Sequence, residues 1–171
     1  MKKILLAIAI MFVGMFMTGC ESKEEKKETR NAELIKEVEN SVSNKEAITN
    51  LQFVDSNILL TSLGLDSSDV EDFVGKIPVY NMPEENLYIA VKPSKGNEDK
   101  VKRALELYVS SLETRLTENK IDEATGEHVT VETEAVKTLK AMTKEEYKGY
   151  YIYVSSKESA KIVEVLKNNL K

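Results

Sequence analysis

The chain has 171 residues, a net charge of −5, 42% apolar and 31% charged residues, no tryptophan, one histidine and one cysteine. An acidic chain without a basic stripe argues against nucleic acid and anionic lipid head groups as partners, and a lone cysteine excludes an intrachain disulfide. The apolar residues are ample and periodic, which is enough for one domain with a core and confines disorder to a short tether.

The first twenty residues decide compartment and attachment. Lys2 and Lys3 precede an unbroken apolar run of fourteen residues, Ile4 to Met17. That length suits a signal-peptide core and falls short of the roughly 20 residues of a membrane span. The run ends in Met17-Thr18-Gly19-Cys20, which resembles the bacterial lipobox, with Met17 where leucine is usual. The resemblance implies that the Cys20 thiol is acylated with diacylglycerol and that cleavage before it makes Cys20 the new N-terminus; the alternative is an ordinary secretory signal with an incidental cysteine. Cleavage would remove Lys2 and Lys3 and take the net charge from −5 to −7. The expected division is a signal peptide over 1–19, a charged flexible tether over 20–30, and a single α+β domain over 31–171. Glu21 to Thr29 carries the tether reading, having mixed charges and nothing apolar to bury.

Asn31 is placed to cap a helix from about Ala32 to Ser43, in which Leu34, Ile35, Val38 and Val42 recur at helical spacing. Asp55 or Ser56 starts a short apolar helix containing Ile58, Leu59, Leu60 and Leu63, with Gly64 at the left-handed C-terminal position. Asp66 to Gly75 is read as another short helix, its acidic residues in the first turn and Val70, Phe73 and Val74 on its apolar side. The run Asp66 to Asp72 lacks the alternation, central glycine and distal glutamate of a calcium loop. Ile77 to Met82 and Leu87 to Lys92 are expected to form a hairpin. A long helix follows Asn97, with Val101, Ala104, Leu105, Tyr108, Leu112 and Leu116 on one face. Asn119 to Thr133 reads as loop. Its His128, near Asp122, Glu123 and Glu127, lacks metal-ligand spacing and is expected to be a surface residue. The pattern leaves 137–143 open between helix and strand. Tyr150 to Val154 is a strand after a Lys148-Gly149 turn, and Ser155 with Glu158 has the spacing of a capping box for a final helix.

Leu87 to Val91 and Tyr150 to Val154 echo each other, each followed by an amphipathic helix. Two ββα-like halves predict an α+β fold: an antiparallel sheet of three to four strands with helices mainly on one face, preceded by short N-terminal helices. The order of lipobox, charged tether, Leu63-Gly64-Leu65-Asp66 with Asp69-Val70, the Leu87 to Val91 strand, the long helix and the Lys148-Gly149-Tyr150 strand resembles a family of small Gram-positive lipoproteins, domain of unknown function 4358. The resemblance covers about Ala47 to Lys171 and implies a lipid-anchored α+β domain. It carries no catalytic residues.

No Ser-His pair with an orienting partner, phosphate loop or metal-spaced cluster stands out, and Cys20 is assigned to the anchor. The chain is therefore read as a non-enzyme without a cofactor. If Ile89, Val91, Ile152 and Val154 face the helices, alternation puts Tyr88, Tyr151 and Tyr153 on the other face, joined by Tyr80. Four tyrosines on an open face suit contact with an envelope protein or a glycan; the alternative is that they pack across strands or lie beneath the early helices. The functional expectation is a binding module held by its Cys20 lipid at the extracytoplasmic face of the cell membrane. The competing readings are a small solute-binding lipoprotein serving a transporter and an envelope enzyme.

Overall fold

The computed structural model describes residues 23–79, 84–121 and 128–171; the signal segment with Cys20, and Tyr80, lie outside the described residues. The chain divides into two units, Met1–Ala32 and Glu33–Lys171. The described part of the first unit, residues 23–32, is helical, and the helix continues into the second unit as α1 (Lys23–Ser41). Asn31 is thus inside a helix rather than its cap. The charged stretch extends the helix because glutamate and lysine are strong helix formers.

In the second unit the elements are α2 (Glu46–Thr49), β1 (Gln52–Phe53), α3 (Ser56–Leu63), a 3-10 turn (Ser67–Asp69), β2 (Val70–Ile77), β3 (Leu87–Pro93), α4 (Glu98–Leu116), β4 (Glu118–Ile121), β5 (His128–Val131), α5 (Glu134–Lys140), β6 (Thr143–Tyr147), β7 (Tyr150–Ser155) and α6 (Ser159–Asn169). The fold is α+β. Five antiparallel strands run in the order β1-β2-β3-β7-β6, and β4 pairs with β5 in a separate hairpin. Two ββα units are present, β2-β3-α4 and β6-β7-α6, joined through β3 and β7.

Helices cover both faces of the sheet rather than mainly one. Leu87, Ile89 and Val91 of β3 join Phe73, Tyr153 and the apolar sides of α3 and α4 in one core. Tyr88 and Ala90 join Val74, Tyr150, Ile152, Val154, the Leu34 to Val42 stripe of α1 and the inner side of α6 in a second core. The cause lies in the sequence of β3: Leu87 to Val91 has no polar position, so neither side of that strand tolerates water. Each fully buried leucine or valine contributes about 1.5–3 kcal/mol. Two such layers on one central strand therefore outweigh a single-faced arrangement.

Three local signals behave as expected. The Asp55 carboxylate accepts from Ile58 N–H at 2.8 Å and caps α3. Gly64 closes that helix at φ 67°, where a side chain would be strained. Lys148 (φ 51°) and Gly149 (φ 81°) turn β6 into β7 in two residues, the geometry of a type I′ hairpin.

Three expectations are overturned, and one open segment is assigned. Asp66 to Gly75 is one 3-10 turn followed by strand. Asp69 ends the turn by accepting from Asp66 N–H at 2.7 Å, and from Val70 the backbone is extended. Buried Asp72 and Lys76 disguised the alternation. The hairpin partner of β3 is consequently β2, with register Phe73↔Val91 and Gly75↔Ile89, and not Ile77 to Met82. The segment 119–133, expected as loop, holds β4 and β5; His128 is in β5, while Asp122, Glu123 and Glu127 lie outside the described residues. The open segment 137–143 is the end of α5 and the start of β6.

The Ser155 capping box is also absent. Ser155 ends β7, and α6 starts at Ser159 after Glu158. Ser156 Oγ accepts from Glu158 N–H at 3.2 Å. The Glu158 carboxylate turns instead to Lys161 and to Ser43, whose N–H donates to it at 2.6 Å. Those donors, the Lys161 ammonium first, hold the carboxyl down to about 2. An unfolded glutamate titrates at about 4.3. Because the folded pKa is the lower one, the stabilisation from Glu158 is fully present above the unfolded pKa and is lost as pH falls from there toward the folded value. Glu158→Gln is expected to lower the urea midpoint at pH 7 and to converge with the parent as pH falls to roughly 2.

Candidate functional site

The register places the expected tyrosines. Tyr88 is opposite Val154, Ile89 opposite Tyr153, Ala90 opposite Ile152 and Val91 opposite Tyr151. Tyr88 therefore shares a face with Ile152 and Val154, whereas Tyr151 and Tyr153 share one with Ile89 and Val91. An open row of tyrosines does not form. The opposed strands are antiparallel, and odd positions of β3 meet odd positions of β7, not the even ones assumed from the sequence.

The three described tyrosines of the expected row are accounted for by packing. Tyr88 is fully buried in the second core, and burial, reinforced by the Glu39 carboxylate, pushes its phenol up. Among the described residues its hydroxyl has no hydrogen-bond partner. Tyr153 is buried in the first core with Lys144 Nζ 5.2 Å from its ring centre, and its phenol is pushed up chiefly by burial. Tyr151 is partly buried against the same core and is pushed up by burial and then by Glu146. Tyr80 lies outside the described residues.

Beneath α1 runs a buried polar ladder on β2. The Lys76 ammonium donates to Glu39 Oε1 at 2.9 Å and to the Thr49 carbonyl at 2.7 Å. Tyr150 donates its hydroxyl proton to Asp72 Oδ2 at 2.6 Å. These contacts tie the helices and β7 to β2 from inside. The Tyr150–Asp72 contact is buried and the Lys76–Glu39 contact partly so, and both serve the register of the sheet against its helices.

Among the described residues, one concavity that combines apolar and polar groups lies between α3 and α4; a second, more open one of about 510 Å³ lies between β6 and α6, lined by Glu145, Tyr147, Val163 and Lys167 among others. The first has a volume of about 210 Å³ and is lined by Thr61 and Ser62 of α3 and by Ala104, Leu107, Tyr108, Ser111 and Arg115 of α4, with Leu63 and Pro78 at its base. Leu107 stands 71% exposed at its wall and Leu60 of α3 is 50% exposed; among the described residues these are the large apolar side chains left in solvent. Tyr108 is buried, and desolvation pushes its phenol up to about 12 although the Arg115 charge pulls the other way. A guanidinium, a phenol and three hydroxyl-bearing side chains thus surround an exposed leucine. Tyr and Arg are the residue types that anchor protein contacts. The sequence did carry a signal for this cleft. Leu107 falls off the Val101, Leu105, Tyr108, Leu112 stripe of α4, and a leucine on the polar side of a helix is not explained by the core.

The size of the cleft limits what it holds. Small-molecule sites run from about 300 to 1,000 Å³ and bury most of the ligand. At 210 Å³ the cleft is suited to one or two side chains of a partner. The titratable groups give no support to acid–base catalysis among the described residues. The carboxylates displaced from their ordinary range, Asp69, Glu98, Glu132 and Glu158, all move down, held ionised by lysines or backbone N–H groups. A general acid needs the opposite shift. Among the described residues no group of three or more His, Cys, Asp or Glu side chains is placed to hold a metal ion.

Compared with protein-family models, with curated proteins and with solved structures, the chain matches none. No described helix is long and apolar enough to cross a membrane.

Proposed function

We propose that this protein is a binding module of the bacterial cell envelope, held at the outer face of the membrane by lipid on Cys20. Its contact surface is the α3–α4 cleft around Leu107. The anchor rests on Met17-Thr18-Gly19-Cys20 after the apolar run from Ile4, with a motif order that resembles the Gram-positive lipoprotein family of domain of unknown function 4358 beside it. Two acyl chains hold a protein stably at a bilayer where one does not, at about 0.8 kcal/mol for each buried CH₂. The binding reading is carried by one observation: a leucine 71% exposed on the wall of a cleft that also contains Tyr108 and Arg115. An envelope protein or a glycan with an apolar and an anionic group fits that lining.

One experiment with two variants tests both parts. Photo-cross-linking from position 103 in intact cells is expected to capture a partner. Leu107→Ser, an exposed change worth within about 0.5 kcal/mol of stability, is expected to abolish the capture without moving the thermal melt. Cys20→Ala is expected to move the protein from the detergent-rich to the aqueous phase on detergent phase separation once its signal segment is removed. Undiminished capture by Leu107→Ser contradicts the cleft, and unchanged partition of the cleaved Cys20→Ala chain contradicts the anchor.

A further inference from the structure

We infer that the outer edge of β6 pairs with the same edge of a second copy of this chain, joining two sheets into one. The strand Thr143–Tyr147 ends the sheet order, so one of its backbone edges meets no described strand. A free edge is a template for another strand. The turn fixes which residues offer it. A two-residue type I′ turn closes on a hydrogen-bonded pair, here Tyr147 and Tyr150. Tyr147, Glu145 and Thr143 therefore direct their N–H and C=O groups at β7. Lys144 and Glu146 direct theirs outward.

Charge then selects the occupant and the register. In an antiparallel pairing about a two-fold axis at Glu145, Lys144 of each copy faces Glu146 of the other. Both pairs are hydrogen-bonded pairs, giving four N–H···O bonds and two opposite-charge contacts. Registers centred on Lys144 or on Glu146 set like charges face to face. Shifts of one residue leave the outward N–H groups unmatched. The central Glu145 does not repel its twin as a bare carboxylate, because Lys167 of α6 donates to it at 2.7 Å. Charged edge residues usually prevent strand addition. Here both signs occur, two residues apart, so the edge rejects most strands and accepts a copy of itself. Lys144 and Glu146 are exposed, which leaves them available to the partner copy.

The test uses the full chain with Cys20→Ala and Glu145→Cys, purified in detergent, so that position 145 carries the sole cysteine. Facing residues of a non-hydrogen-bonded pair have Cα atoms about 4.5 Å apart, within reach of a disulfide. Mild oxidation is expected to give a disulfide dimer. Adding Lys144→Glu or Glu146→Lys is expected to reduce its yield roughly tenfold, since two attractive contacts become repulsive. The double swap Lys144→Glu with Glu146→Lys is expected to restore it. Mixing the two single variants is expected to give a heterodimer that neither forms alone. Unchanged thermal melts show that the variants fold. Absence of the dimer, equal yields from the single variants, or failure of the double swap to restore it each overturns the proposal.

Discussion

Gly75→Ala is expected to cost the domain about 3 kcal/mol or more, at the upper end of overpacking effects, and to leave it largely unfolded at 37 °C if its stability is ordinary. Gly75 sits in the interior of β2, opposite Ile89 of β3. A methyl group on it would overlap the Tyr88 carbonyl oxygen and lie 2.7 Å from Ile89 Cα. Both are backbone atoms of the central strand, so no rotamer relieves the clash. Either β2 and β3 separate, losing ladder bonds on both sides of the site, or the whole hairpin bends. The β1 pairing would suffer too, because Val54 N–H donates to the Gly75 carbonyl at 3.0 Å. Urea unfolding followed by circular dichroism measures the effect. A loss below about 1 kcal/mol would mean that the two strands are not so close.

Glu39→Ala is expected to be the second most damaging change, and more damaging than removing its partner. It would leave the Lys76 ammonium, 7% exposed, with the Thr49 carbonyl as its remaining described acceptor. Breaking a buried ion pair from one side costs about 3–5 kcal/mol. Glu39 is itself 23% exposed at its side chain, so water softens the loss to about 2–3 kcal/mol. Lys76→Met removes the charge and keeps the length, filling the same apolar space between β2 and α1. It is expected to stay within about 1 kcal/mol of the parent and to gain stability if desolvation of the pair is the larger cost. The two denaturation midpoints, measured side by side, decide the matter. If Lys76→Met is the more damaging of the two, the pair stabilises the fold more than its burial costs.

What was legible in the sequence is what local chemistry alone determines. Asp55 and Gly64 marked both ends of α3, and Lys148-Gly149 marked the hairpin, because caps and tight turns depend on a few adjacent residues. The stripe from Val101 to Leu112 gave α4. Facing and pairing were less legible, since they are set between distant segments. The all-apolar Leu87 to Val91 reads as a strand on either face, and its two-sided burial follows from α1 and α6 arriving opposite α3 and α4. In β2, Asp72 and Lys76 are buried through partners 78 and 37 residues away, Tyr150 and Glu39, and no local pattern announces such partners. The tyrosine row failed for the same reason, as a one-residue change of parity in β7 moved Tyr151 and Tyr153 to the other side from Tyr88. The α3–α4 cleft was half visible: Leu107 was out of place on α4, but Thr61 and Ser62 reach it through tertiary packing.

The proposed role depends first on where the protein is held, and intact mass spectrometry tests that most directly. The full chain would be produced in a bacterium with lipoprotein processing and extracted from its membranes. The account predicts a polypeptide that begins at Cys20 and carries diacylglycerol on the thiol. A polypeptide with a different first residue, or a Cys20 thiol that still reacts with maleimide, would contradict it.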